Sequence, residues 1–286
     1  LFLLVMRILT VLLLLVPVSH ALFKGHFQKF VRQKYGEEVL EALNRADLGR
    51  AFGGSFGGGS DEAPTNRRPI VFVHGLRMKA GHLVGQRQLF TRAGWPANRL
   101  MATTYGPGKV DLLSSLQETM DCEYVKAVRY LMVATIDYFQ SDIDVISYSM
   151  GAPISRKAIM GGYCVDTGEY IGESINHRIV TFLSVAGANH GSYLCKSITP
   201  GFCDQKNGLF CGSDFLNDIN SKNETVGRFH YTLATNTDEV TGFMTPCGYK
   251  AHEFPAATEI IIPNRTHMGM ILKSVPDQVA IMRRHA

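Results

Sequence analysis

The segment DIDVISYSMG, residues Asp142–Gly151, is the most informative pattern in the sequence. Its part Ile143–Ser147, with β-branched Ile143, Val145 and Ile146, is predicted to form a strand. A helical pattern follows, so the segment fits the strand–turn–helix motif G-x-S-x-G of a nucleophile elbow, with Ser147 replacing the first glycine. A small residue suffices there because the turn is sharp, and Gly151 lets helix and strand approach closely. The motif predicts Ser149 as a nucleophile, whereas the plain alternative is a serine at a helix N-cap.

Ser147 is not the expected nucleophile, because no glycine follows it two residues later. On both sides of the motif, strand and helix patterns alternate along the chain. Further strands are expected at 69–73, 99–104, 178–186, 231–235 and 258–262, and helices at 82–92, 123–139, 150–160 and 269–286. Such alternation predicts a mainly parallel sheet with helices on both faces, and ligands bind at the carboxyl ends of its strands. The predicted fold class is therefore α/β.

A serine hydroxyl needs a neighbouring base, and the chain order of this architecture is serine, acid, histidine. His267, after the last predicted strand, is the predicted base. His190 also follows a strand and is a rival, but it precedes any plausible acid. The acid is expected after the penultimate strand, where Asp238 and Glu239 are adjacent and spacing does not choose between them. The plain alternative is a surface turn with two carboxylates.

Two main-chain N–H groups are expected to form an oxyanion hole. One belongs to Met150, directly after the nucleophile, and the other to Leu76, in the turn after the first strand of the domain. Gly75 permits the tight turn that aims the Leu76 amide. This chemistry needs no metal ion and no organic cofactor, so none is expected.

The chain start has the pattern of a secretory signal peptide. Arg7 precedes the apolar run 8–16, and Ser19-His20-Ala21 is a small-x-small cleavage signal. A membrane anchor is the alternative, but the run is shorter than the roughly 20 apolar residues of a spanning helix. Adding residues 1–5 would lengthen the run and keep the anchor open. We expect cleavage after Ala21, secretion, and no stable membrane span afterwards.

The chain contains six cysteines, and in an oxidising compartment these predict up to three disulfides. The sequence does not choose among the possible pairings. A metal site is the rival interpretation, but no two cysteines have C-x-x-C spacing and no histidines are interleaved at ligand distances. Two N-x-S/T sequons, at Asn223 and Asn264, agree with a secreted glycoprotein. The first lies in a polar, loop-like stretch and is the better candidate.

Composition divides the rest of the chain. Residues 22–67 are interpreted as an N-terminal extension, with a helix from about Phe27 to Leu43 and a Gly-rich flexible linker at 53–60. The catalytic domain is expected at 68–286. The formal net charge of +4 comes from scattered Lys and Arg, which favours an anionic lipid surface only weakly and is equally typical of ordinary solvation. No nucleic-acid partner is expected.

These motifs resemble the class 2 lipases. The resemblance rests on VFVHG at 71–75, on the elbow at 147–151, and on the loops of Asp238 and His267. It implies the α/β-hydrolase fold, lipid esters as substrates, and Asp238 rather than Glu239 as the acid.

The extended form of the chain resembles the secreted lipase-like proteins of nematodes, through NRADLG at 44–49 and YSMGAPISRKAI at 148–159. The resemblance covers about residues 25 to 280. Segment 191–228 holds three of the cysteines and is longer than its counterpart in the minimal bacterial members. A disulfide-containing insertion is therefore expected after the strand that ends near Ala186, and it is a candidate cover for the site.

Two classes of function remain. In the first, the protein hydrolyses lipid esters through Ser149, His267 and Asp238 and an acyl-enzyme, and a lipid–water interface is the candidate place of action. In the second, it is a secreted binding protein that keeps the fold without activity. The first is favoured because every expected triad position is occupied. A peptidase, thioesterase or acyltransferase would use the same triad, so lipid esters rest on the resemblance alone.

Overall fold

The computed structural model describes residues 22–49, 53–60, 65–108, 111, 117–199, 201–221 and 224–285. The predicted signal peptide, residues 1–21, and the first sequon asparagine, Asn223, lie outside the described residues. The second sequon asparagine, Asn264, is exposed and has a left-handed backbone with φ of 57°.

Seven strands form one sheet. They are β1 (Ser55–Phe56), β2 (Ile70–Val73), β3 (Leu100–Thr103), β4 (Ile143–Tyr148), β5 (Ile179–Val185), β6 (Phe229–Ala234) and β7 (Thr258–Ile261). Their order across the sheet is β1-β3-β2-β4-β5-β6-β7. β1 is antiparallel to β3, and all other neighbours are parallel. Strands β2 to β5 are buried along their whole length, as expected for a parallel sheet covered on both faces. The predicted α/β class is confirmed.

Helices lie before, between and after the strands. They are α1 (Gly25–Tyr35), α2 (Glu37–Asn44), α3 (Val84–Arg92), α4 (Cys122–Phe139), α5 (Gly151–Met160), α6 (Asp214–Ser221), α7 (His267–Lys273) and α8 (Val275–Arg283). Within the described residues, no helix is both long enough and apolar enough to cross a membrane.

Two predicted helices are each divided into a pair. The pattern at 27–43 is broken at Gly36, whose φ of 94° no helix contains. The pattern at 269–286 is broken at Ser274, directly before α8. Pro276 lies in the first turn of α8, where its missing N–H does no harm, whereas inside one continuous helix it would cost a hydrogen bond.

The two faces of the sheet bury two apolar layers, because successive strand residues point to opposite sides. Val71 and Val73 pack in the layer that includes apolar residues of α1, α2, α4 and α5. Ile70 and Phe72 pack in the layer that includes residues of α3 and α8. This clamping from both sides fixes the carboxyl ends of the strands, where chemistry is expected.

The Gly-rich segment 53–60 differs from the flexible linker that its composition predicts. Ser55 and Phe56 form β1 and are completely buried. The Ser55 hydroxyl accepts a hydrogen bond from the Phe23 amide at 3.1 Å. A Cβ on Gly58 would lie 2.3 Å from the Cβ of Phe27, so this glycine serves close packing rather than mobility. The division of the chain at residue 68 stays a prediction.

Three disulfides are formed, Cys122–Cys164, Cys195–Cys203 and Cys211–Cys247, as the cysteine count allows. The second closes a short loop inside the insertion that follows β5. The third joins the insertion to the segment between β6 and β7. The predicted disulfide-containing insertion is therefore confirmed, and its one described helix is α6.

Candidate active site

Ser149 lies in the turn between β4 and α5, at the carboxyl edge of the sheet. Its φ of 52° is left-handed, which is uncommon for a residue other than glycine and stores backbone strain. Two main-chain hydrogen bonds hold the turn. The Ser149 amide donates to the Val185 carbonyl at 3.0 Å, and the Ala152 amide donates to the Ser149 carbonyl at 3.0 Å.

Two glycines allow this turn to pack against the segment after β2. A Cβ on Gly151 would lie 2.2 Å from the carbonyl oxygen of His74, and one on Gly75 would lie 2.9 Å from the Cβ of Ser149. Neither separation is possible for real atoms. Ser147 is fully buried and its hydroxyl donates to that of Ser155 at 2.7 Å, so this serine ties β4 to α5.

In the structure, the side chain of His267 lies between those of Ser149 and Asp238. His267 Nε2 lies 3.0 Å from the Ser149 hydroxyl oxygen, and His267 Nδ1 lies 2.8 Å from Asp238 Oδ2. Both distances are within hydrogen-bond reach. With Nδ1 donating to the carboxylate, Nε2 is left as the acceptor for the serine proton. The arrangement can therefore deprotonate Ser149.

Both carboxylate oxygens of Asp238 have hydrogen-bond partners. While Oδ2 faces His267, Oδ1 accepts the amides of Val240 at 2.9 Å and Thr241 at 2.8 Å. Burial by itself raises the pKa of the Asp238 carboxyl. The hydrogen bond and charge of His267, together with the two amides, outweigh burial and hold this pKa below its usual value. The group is a carboxylate at neutral pH, which suits an orienting acid.

The two acids that the sequence left tied contact different parts of the same histidine. Glu239 Oε2 accepts the main-chain N–H of His267 at 2.9 Å, while Asp238 faces the imidazole. The rival base His190 lies elsewhere, with its ring stacked on Tyr249 at 5.0 Å between centroids. Burial, with smaller contributions from Arg156 and His252, lowers the pKa of His190 to about 4.

The predicted oxyanion donors, Leu76 and Met150, follow Gly75 and Ser149 in the two turns that pack together. In the part of the chain that the structure describes, neither amide has a protein acceptor. The carbonyl of His74, just before, accepts the hydroxyl of Tyr105 at 2.8 Å, which fixes the turn that carries Leu76. Two unpaired amides beside the nucleophile suit an oxyanion, and this role stays a prediction.

A cavity of about 640 Å³ opens onto Ser149 and His267. Most of its lining is apolar, from Leu76, Met78, Leu194, Phe202, Leu209, Val240, Met268, Ile271 and Leu272. Leu194, Phe202 and Leu209 come from the insertion, which therefore forms one wall of the cavity. No motif in the sequence marks Leu194, Phe202 or Leu209 as lining residues. Their signal was the apolar content of a segment braced by cysteines.

The model of the class 2 lipase family matches residues 67–280. No curated protein matches the chain. Among solved structures, the mature lipase BlEst2 of Bacillus licheniformis is 19% identical, with a TM-score of 0.54 over 80% of this chain and 97% of its own. Lipase B of Aspergillus fumigatus is 13% identical, with a TM-score of 0.51 over 76% of this chain and 52% of its own.

Phospholipase PlaB of Legionella pneumophila, solved with thio-NAD, is 14% identical, with a TM-score of 0.51 over 76% of this chain and 57% of its own. At such identities the three structures establish a shared fold. The family model goes further, because it spans most of the chain and includes every predicted site residue. The protein belongs to the class 2 lipase family.

Proposed function

We propose that the protein is a secreted hydrolase of lipid esters that acts through Ser149, His267 and Asp238. The observation that carries the proposal is the hydrogen-bonded row of these three side chains at the mouth of an apolar cavity. A triad alone serves many acyl transfers. An apolar cavity beside it favours an acyl chain as the group that is bound.

In the proposed reaction, the Ser149 oxygen attacks the ester carbonyl carbon while His267 Nε2 takes the hydroxyl proton. Asp238 holds the imidazole in the required tautomer and stabilises its protonated form. The amides of Leu76 and Met150 stabilise the oxyanion. His267 then gives the proton to the departing alcohol, and the acyl group stays on Ser149. Water, deprotonated by His267, hydrolyses this acyl-enzyme and restores the serine.

The cavity rim supports a lipid rather than a small polar ester. Leu194, Met268 and Leu272 line the cavity and are also 51%, 45% and 50% exposed. Nearby Tyr193 and Ile198 of the insertion are exposed too. Apolar side chains gathered around a site mark a surface for an apolar partner. Secretion is supported by the signal-peptide pattern and by the three disulfides, which persist in oxidising compartments.

The nucleophile is tested with a fluorophosphonate probe, which reacts with activated serines. Wild type and the matched control Ser147→Ala should be labelled, because Ser147 is engaged with Ser155 and takes no part in the chemistry. Ser149→Ala should remain unlabelled. Equal labelling of Ser149→Ala and wild type would remove Ser149 from the proposal.

The substrate class is tested by comparing soluble short-chain esters, emulsified long-chain triacylglycerol, and peptide amides. Hydrolysis of the esters, with little or none of the amides, supports the proposal. A protein that cleaves amides and leaves both esters intact would be a peptidase, and labelling without any turnover would favour the alternative of a binding protein.

A further inference from the structure

Two turns meet beside the triad. The acid turn, residues 235–239, follows β6, and the histidine turn, residues 264–267, follows β7. These strands are neighbours in the sheet and parallel, so their carboxyl ends deliver the two turns to the same place. How the turns are joined determines where the His267 ring can lie.

Every side chain of the acid turn forms a hydrogen bond with the histidine turn. Thr235 Oγ1 accepts the Arg265 amide at 3.2 Å, and Thr237 Oγ1 donates to the Arg265 carbonyl at 2.9 Å. Asn236 Oδ1 accepts the Asn264 amide at 3.3 Å. The two carboxylates come next, and both reach His267.

The two carboxylates contact different parts of His267. Asp238 Oδ2 contacts the imidazole, and Glu239 Oε2 contacts the main-chain amide of the same residue at 2.9 Å. The amide of His267 opens α7, where main-chain N–H groups have no partner within the helix. Thr266 satisfies another of these groups by accepting the Gly269 amide at 3.0 Å. Glu239 is therefore the side chain of the acid turn that binds the main chain of His267 itself, next to the ring.

We propose that Glu239 is a positioning residue, whose carboxylate oxygen holds the main chain of His267 so that the ring lies between Ser149 and Asp238. The proposal rests on the proposed function of this triad. Glu239 itself reaches neither the ring nor the serine. It acts through His267, and an acceptor oxygen at its position is what the site requires.

A positioning role for Glu239 and a purely structural role predict different effects when Glu239 is replaced. Glu239 is exposed, so its loss removes little packing and should leave the fold intact. Of the two carboxylates, only Asp238 would then contact His267, and the ring should sample more orientations. Small displacements of a catalytic group strongly reduce the rate of the chemical step, while substrate binding in the cavity is unaffected. The expected signature is a lower kcat with an unchanged KM.

The test compares Glu239→Ala and Glu239→Gln with wild type on a soluble short-chain ester. Rates are divided by the concentration of active sites, obtained by complete titration with the fluorophosphonate probe, and thermal unfolding is recorded for each variant. Glu123→Ala is the matched control, because Glu123 is an exposed carboxylate whose partner is Lys126 on α4. Ser149→Ala gives the background.

We expect Glu239→Ala to lower kcat per active site by about tenfold, with KM and Tm unchanged. Glu239→Gln keeps an acceptor oxygen and should recover to within about threefold of wild type. The control should match wild type. The proposal is overturned if Glu239→Ala keeps the wild-type kcat, if Gln is as slow as Ala, or if lost activity only follows lost active sites and a lower Tm. A wild type that neither turns over nor reacts with the probe would refute the proposed function instead.

Discussion

The two halves of the candidate site are held in place by different means. The nucleophile side consists of the elbow around Ser149 and the segment after β2, and its contacts are main-chain surfaces in close packing, with glycines where a Cβ would collide. The acid–base side consists of the two turns after β6 and β7, and its contacts are side-chain hydrogen bonds between these turns. Close packing therefore holds the nucleophile side, and hydrogen bonds between two turns hold the acid–base side.

Because of this difference, loss of activity and loss of stability should be coupled on one side of the site and separable on the other. On the nucleophile side, a side chain added at one of the packed glycines disturbs the site and the packing of β2, β4 and α5 together, so activity and stability should both fall. On the acid–base side, a hydrogen bond can be removed while the sheet beneath stays intact. Activity should then fall while stability remains.

The largest effect is expected from Asp238→Asn on the acid–base side. The amide cannot stabilise the protonated imidazole, and it permits the wrong tautomer of His267, so kcat should fall roughly 10⁴-fold. Thermal unfolding should change little. The measurements are kcat on a soluble ester and Tm, and Asp277→Asn, an exposed carboxylate on α8, is the control. If Tm fell as steeply as activity, the two sides would not differ as described.

A smaller effect, and one of the opposite kind, is expected from Gly151→Ala on the nucleophile side. The new Cβ would collide with the His74 carbonyl, which is itself fixed by Tyr105, so the free energy of unfolding should fall by about 3 kcal/mol. Chemical denaturation measures this. Gly85→Ala in α3 meets open space and should instead stabilise by about 0.5–1 kcal/mol. A folded, inactive Gly151→Ala protein of wild-type stability would contradict the expectation that activity and stability fall together on the nucleophile side.

The third effect is the dependence of stability on pH through His74. Burial, the largest cause, lowers the pKa of His74 to about 4, from a usual value of 6.5. Between these two pH values, His74 is protonated in the unfolded chain but stays mostly neutral in the folded protein. Stability is therefore complete above about pH 6.5 and decreases as pH falls towards 4, by about 2 kcal/mol between pH 7 and pH 5.

This pH dependence is measured by urea unfolding at several pH values. His74→Gln should have a flatter slope than wild type, whatever its absolute stability. His177→Gln, at an exposed position, should keep the wild-type slope. An unchanged slope in His74→Gln would mean that His74 does not couple the nucleophile side to pH.

The features that the sequence predicted are those with a local signal. Buried parallel strands are rich in apolar, β-branched residues, and the elbow is a short motif, so β4, the candidate nucleophile Ser149 and the α/β class could be inferred from neighbours along the chain. His267 followed from chain order. The break at Gly36 was missed because a single glycine inside an amphipathic pattern is a weak signal, and its left-handed backbone is visible only in three dimensions.

The remaining features depend on residues that are distant in sequence. Spacing could not separate Asp238 from Glu239, because both lie in one turn and only the position of His267 assigns one oxygen to the ring and the other to the backbone. The cavity wall built by the insertion depends on how the cysteines pair, which composition leaves open. Segment 53–60 resembled a linker because glycines that permit close packing are indistinguishable, in sequence, from glycines that confer flexibility.

The short strand β1 has a consequence for how the chain can be shortened. It covers the outer side of β3 by two paired residues, Ser55↔Thr103 and Phe56↔Ala102. The family match begins only at residue 67, so a minimal version of the protein would omit β1. Its β3 would then present unpaired N–H and C=O groups and an uncovered apolar surface, which is a template for edge-to-edge aggregation. We therefore expect that a protein expressed from residue 67 yields more aggregate than one expressed from residue 22, which keeps β1.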